Sequence, residues 1–211
     1  MLSTKQQGGF TLIEIAIVLV IIGLLLGGIL KGQELITQAK IRNVVNDFNG
    51  TSAAYYAYQD RYRAIPGDDI NAASRWTNPQ ATSGDGNGSI SGSYNDTAGS
   101  EAAYFWQDLR LSGLIAGAGT DTAPPQNAAS GITGVQNGAL GFAGLVVCSS
   151  NLPAKIAQAV DSQFDDGNGA TGQVKAANVA ASTSTAPALT GATPTNYVDN
   201  GTNVYIVCKN I

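Results

Sequence analysis

The chain has 211 residues, with 11 Lys and Arg against 15 Asp and Glu for a net charge of −4. An acidic chain without a basic stripe is a poor partner for nucleic acid, which is held largely through phosphate contacts. Histidine is absent, which excludes Ser-His-Asp and Cys-His catalysis and removes the commonest zinc ligand.

Residues 1–9, MLSTKQQGG, read as a polar leader carrying Lys5. The 21 residues from Phe10 to Leu30 hold a single charge, Glu14, and are long enough as a helix to cross a bilayer core. An acid inside such a span is costly in lipid and calls for a partner. A cut between Gly9 and Phe10 would place a new α-amino group about one helical turn from Glu14. A secretory signal peptide has an apolar core of about 7–15 residues followed by a small-residue cleavage site. This core is longer, contains an acid and ends without such a site. A plain signal anchor fits the length but leaves Glu14 and the Gly9-Phe10 junction without a role.

Gly9, Phe10, Thr11, Leu12, Ile13 and Glu14, followed by the long apolar run, resemble the start of the type IV pilin family, which includes the pseudopilins of type II secretion. The resemblance implies cleavage after Gly9 by a prepilin peptidase, N-methylation of Phe10, and pairing of Glu14 with a neighbouring subunit's amine during assembly. It also implies an α+β fold: a long N-terminal membrane helix with a globular head of antiparallel sheet packed on its C-terminal half. Many type IV pilins carry a proline just beyond the apolar run; this chain has Lys31 in that area. Gly23, Gly27, Gly28 and Gly32 could loosen the helix instead, or permit close helix packing.

The helical signal continues past Leu30. Ile41, Val45, Phe48, Ser52, Tyr55, Gln59 and Tyr62 recur in steps of four and three, one face of an amphipathic helix that Pro66 stops. A helix from Phe10 to about Arg63 would be roughly 80 Å long. The expected divisions are leader 1–9, membrane and assembly helix 10–30, amphipathic continuation 31–63 and extracytoplasmic head 64–211.

Within the head, 66–97 reads as a Gly-, Ser- and Asp-rich loop. A short helix is expected over Ser100–Leu111, with Gly113 as its C-cap. Residues 116–138 read as an irregular loop, and Leu140–Cys148 as a buried strand. Asn151 is a candidate cap for a helix through Gln163. Strands are expected over Gln173–Ala176 and Asn203–Lys209, with an exposed stretch over 176–196 between them. Cys148 and Cys208, the two cysteines, could pair outside the cytoplasm, the alternative being two buried thiols. Lys31, Lys40 and Arg42 follow the span and Lys5 precedes it, so the positive-inside rule is equivocal; the cysteines and the leader favour an external C-terminus.

Two loops are candidate calcium sites. Asp85, Asn87 and Ser89 alternate oxygen side chains, with Glu101 able to close a looser cage, although Ile90 and Asp96 stand where an EF-hand needs Gly and Glu. Asp165, Asp166 and Asn168 form the second loop, and the resemblance adds that major pseudopilins hold calcium in their C-terminal loops. Polar turns need the same residues for backbone reasons alone. Asp68-Asp69 could do paired acid–base work only across a cleft, which an adjacent pair in a PGDD turn does not imply.

The sequence thus reads as a non-catalytic structural subunit of a type IV pilus-like filament. The peptidase, an inner-membrane assembly platform, the membrane and identical or related subunits are its expected partners. It would be a single-pass inner-membrane protein before joining an extracellular or periplasmic filament. The alternatives are a type II secretion pseudopilin and an adhesin or ligand-binding minor pilin.

Overall fold

A computed structural model describes Gly9 and residues 11–179, 187–189 and 191–211. Helix α1 runs from Leu12 to Tyr62, and is followed by α2 (Ala72–Arg75), α3 (Glu101–Leu111), β1 (Thr133–Asn137), β2 (Leu145–Pro153), α4 (Ala154–Phe164), β3 (Val174–Asn178) and β4 (Val204–Asn210). The chain divides into two compact units, residues 1–39 and 40–211.

In the first unit α1 continues unbroken through Gly23, Gly27, Gly28 and Gly32. Its described residues from Leu12 to Leu30 are all exposed. It is the one helix among the described residues long and apolar enough to cross a membrane.

The second unit is built on the rest of α1. Its four strands pair antiparallel in the order β1-β2-β4-β3. Side chains alternate across a strand, so Val147, Tyr205 and Val207 join one core while Val146, Cys148, Ile206 and Cys208 join another. On the first face lie Val44, Phe48, Ala54 and Tyr58 of α1, Phe105, Trp106 and Leu109 of α3, and Ile156 and Val160 of α4. On the second, Tyr94, Leu140 and Leu189 cover the sheet. Leu189 is buried although the stretch around it was expected to be exposed; residues 180–186 and 190 of that stretch lie outside the described residues.

The buried stripe of α1 is turned from the face expected. Val44, Phe48, Thr51, Ala54 and Tyr58 are its buried residues, with Ile41, Val45, Tyr55 and Tyr62 flanking them. The run Tyr55-Tyr56-Ala57-Tyr58 offers apolar bulk in several directions. The head takes Tyr58, whose hydroxyl finds Asp69 Oδ2 at 2.8 Å. Arg63, at φ 54°, closes the helix in the left-handed region.

Helix α3 starts and stops as its sequence indicates: Ser100 caps Ala103 N–H, and Gly113 at φ 73° follows its end. Three expectations are corrected. Residues 133–137 are an edge strand, because their hydrogen bonds come from the β2 ladder and the short sequence TGVQN shows little apolar alternation. The following strand begins at Leu145, since Gly138, Leu140 and Gly141 take positive φ and turn the chain. Asn151 sits at a register shift in β2 and donates to Ala129 O at 2.9 Å; Pro153 is the N-cap of α4.

Candidate functional site

The start of α1 is shaped by Thr11 and Glu14. The Thr11 amide and hydroxyl each donate to Glu14 Oε2 at 2.7 Å. The Glu14 amide donates back to Thr11 Oγ1 at 3.3 Å. Such a reciprocal pair satisfies donors that the first turn of a helix leaves open. Glu14 is surrounded along the helix by Ile15, Ile17 and Val18, all exposed. Gly9 is exposed, and Phe10 lies outside the described residues. Beyond the adjoining residues and the local helix backbone, no atom of the described residues comes within 4 Å of a Cβ built on Gly23, Gly27, Gly28 or Gly32, which leaves the helix surface open there to a close neighbour.

Residues 4–30 carry the prokaryotic N-terminal methylation motif. This is the prepilin-type signal of type IV pilins and pseudopilins. No curated protein and no solved structure matches the chain. The methylation motif covers Gly9, Phe10 and Glu14 together with the apolar stretch behind them. An apolar N-terminal helix bearing this motif is a membrane anchor in character.

Away from the methylation motif, two clusters of three acids stand out among the described residues of the head. Asp68, Asp85 and Glu101 bring carboxylate oxygens within 4.8 Å of one another. Asp68 accepts from the amides of Gly86, Asn87 and Gly88 at 2.7, 3.1 and 2.7 Å. Glu101 accepts from Asp85 N at 3.1 Å and Ser91 N at 2.8 Å. These two acids therefore clamp the loop by its own N–H groups. Asn87 bonds back to Asp85 through Nδ2 at 2.8 Å and accepts from Ser89 N at 2.8 Å. Ser89 Oγ is instead met by Asn137 Nδ2 at 2.7 Å. Asp68 is not among the calcium candidates that the sequence offers; its place in a PGDD turn gives no sign that it reaches the later loop.

Asp161, Asp165 and Asp166 form the second cluster, again within 4.8 Å. Asp161 is fully buried and accepts from Tyr197 Oη at 2.7 Å and Gly167 N at 3.1 Å. Burial raises its pKa, and Asp166 and Asp165 add to the rise. Asp166 accepts from Asn168 N and from Thr171 Oγ1 at 2.8 and 2.9 Å. Asp165 Oδ2 takes the amides of Gln173 and Val174. Asn168 turns its side-chain oxygen to Ala170 N at 3.1 Å. Three adjacent carboxylates match a hard cation in charge, and Asp161, from the face of α4, is the member the loop sequence did not reveal.

A third group joins the end of α1 to α2 and α3. Asp69 accepts from Tyr58, from Arg75 and from Asn71 N. Burial raises the Asp69 pKa, but hydrogen bonds from Arg75 and Tyr58 outweigh it and hold the carboxyl low. Asp108, fully buried, accepts from Gly67 N at 2.7 Å through Oδ2, while its Oδ1 has no hydrogen-bond partner among the described residues. Gly67 is at φ 86°, where a Cβ would run into the Glu101 carbonyl oxygen. Burial pushes the Asp108 carboxyl up to about 7. The Asp68-Asp69 pair is thus divided, one residue clamping a loop and the other a helix end.

Cys148 and Cys208 form a disulfide between register partners of β2 and β4. It ties the last strand to the sheet from within the second core cluster.

Proposed function

We propose that the chain is a structural subunit of a type IV pilus-like filament. A prepilin peptidase removes residues 1–9 and Phe10 is N-methylated. The mature chain waits in the inner membrane with its head outside the cytoplasm. An assembly platform then moves the apolar part of α1 from lipid into a bundle of identical or related helices. The role is packing, with no catalysis assigned. The observation that carries this reading is the methylation motif over residues 4–30, in which Glu14 is the single acid of the apolar stretch. A buried charge of that kind is expensive unless paired, so the Phe10 amine of a neighbouring subunit sets axial register.

The test is filament recovery from the native host. Wild-type chain should be found in sheared surface or periplasmic filaments. Glu14→Val, which keeps the anchor apolar, should insert in the membrane but yield irregular filaments or none. Normal Glu14→Val filaments would remove the pairing role, and absence of the wild-type chain from every filament would remove the function.

The second reading is a type II secretion pseudopilin, favoured by the Asp161–Asp165–Asp166 cluster because the resemblance implies calcium in the C-terminal loops of major pseudopilins. Asp165 Oδ1 accepts no hydrogen bond among the described residues and would be a first ligand there. Calcium raising the melting temperature of wild type but not of Asp165→Asn would favour this reading; no response of wild type would count against it.

A further inference from the structure

A pocket of about 290 Å³ opens beside the middle of α1, walled by Asp47, Gly50, Trp106, Ile115, Pro125 and Thr133. Of its polar lining, the Thr51 hydroxyl donates to the Asp47 carbonyl at 2.7 Å, whereas three other side-chain groups lack partners among the described residues. The Asp47 carboxylate accepts no hydrogen bond and makes no ion pair among the described residues, and burial pushes it up to about 6. Among the described residues, Trp106 Nε1 and Thr133 Oγ1 also have no hydrogen-bond partner, although both residues are only 1% exposed. Buried polar groups are almost always satisfied in folded proteins; the Trp106 and Thr133 atoms are closed off inside the head, so the half-buried Asp47 carboxylate is the unpartnered group that an occupant of the pocket can reach.

The chemistry of an occupant follows from the walls. A half-buried carboxylate wants a cation. The apolar sides supplied by Ile115 and Pro125 want methylene groups. Gly50 has nothing within 4 Å of a built Cβ, so the helix backbone is open to close approach. A basic side chain meets all three demands, since its charged head sits on an apolar stem. Lys40, Arg42 and Lys155 carry such heads and make no ion pair among the described residues. Arg42 cannot serve Asp47 of its own helix: the separation of five residues misses the three- and four-residue steps at which helix side chains meet.

We propose that this pocket receives a basic side chain of a second copy of the chain, its charged head on Asp47 and its stem against Ile115 and Pro125. The proposal rests on the subunit-packing reading and adds to it a contact made by the head, independent of Glu14.

The test uses full-length chain assembled in its host. Asp47→Arg should lower filament yield at least tenfold, while its membrane level and its melting temperature in detergent stay at or above wild type. Combining Asp47→Arg with Lys40→Glu, Arg42→Glu or Lys155→Glu should restore filaments for one partner, which identifies the side chain. Asp47→Asn, which cannot clash, should give an intermediate yield. Wild-type yield from Asp47→Arg overturns the proposal, as does failure of all three reversals to restore filaments. Loss of filaments in Glu14→Val with full yield in Asp47→Arg leaves the assembly reading standing and the pocket contact rejected. No filament from wild type rejects both.

Discussion

Thr11 and Glu14 hold each other at the first turn of α1, each accepting a hydrogen bond from the other's backbone amide. The acid that the prepilin-type motif supplies is therefore engaged within a single chain, through Oε2. Oε1 has no hydrogen bond among the described residues, and in the proposed assembly it is the oxygen that would accept from a neighbouring amine. Thr11→Ala should remove the hydroxyl contacts and fray the first turn without removing the charge. Amide exchange in micelles should accelerate at residues 12–15, and filament yield should fall less than in Glu14→Val. Unchanged exchange at these amides would mean that the pair does not hold the turn.

Asp108 sets a pH dependence in the head. Its carboxyl is pushed up to about 7 by burial, with Asp69 adding to the rise against the Gly67 amide, Arg75 and Tyr58. An unfolded Asp titrates near ~3.9. The stability that comes from keeping the proton is complete below about pH 4 and is lost as pH rises through about 7. Each unit is equivalent to about 1.4 kcal/mol, which makes the loss at most about 4 kcal/mol. Asp69 has the opposite sign: its contribution is complete above the unfolded carboxylate range and is lost only below it, as pH falls through the lowered folded pKa. Urea melts should therefore show a more stable head at pH 5 than at pH 8. Asp108→Asn should reduce that slope to the smaller part that Asp47, pushed up to about 6 by burial, contributes with the same sign, while keeping an oxygen for the Gly67 amide.

Much of this was legible in the sequence, and the limits are specific. The 3.6-residue period and Pro66 located α1 almost to the residue, because a long apolar run and a helix breaker act locally. The face of α1 that the head covers was less legible: Tyr58 wins by a hydrogen bond to Asp69, a residue 11 positions later. Strand β1 was missed because an edge strand takes its order from its neighbour rather than from its own pattern. The Thr-x-x-Glu spacing at Thr11 and Glu14 was a readable helix-start signal, overshadowed by the intersubunit role that the resemblance implied. Asp68 and Asp161 reach the acid clusters from elsewhere in the head, and no local spacing announces such convergence.

The disulfide closes 60 residues of separation between Cys148 and Cys208. The chain-entropy account assigns such a link about 4 kcal/mol, a large share of a domain's stability. Reduction, or Cys148→Ala with Cys208→Ala, should lower the melting temperature markedly, and native protein should titrate with no free thiol. An equal melting temperature with and without reductant would show that packing alone holds β4.

Glu101 secures the 85–91 loop with both oxygens. Glu101→Gln can accept only one of those two bonds and leaves the other amide facing an NH₂ group. The cost should be about 1–3 kcal/mol, with faster amide exchange over residues 85–91 and little change in β4. Exchange unchanged in that loop would assign its order to Asp68 alone.

If the methylation motif is used as proposed, the mature chain begins at Phe10 and enters a filament through α1. Intact-mass and N-terminal fragment analysis of chain purified from native filaments tests this most directly. The expected chain lacks residues 1–9 and carries one added methyl group on the Phe10 amine. Filament-borne chain that still begins at Met1, or that begins within α1 beyond Glu14, would contradict it.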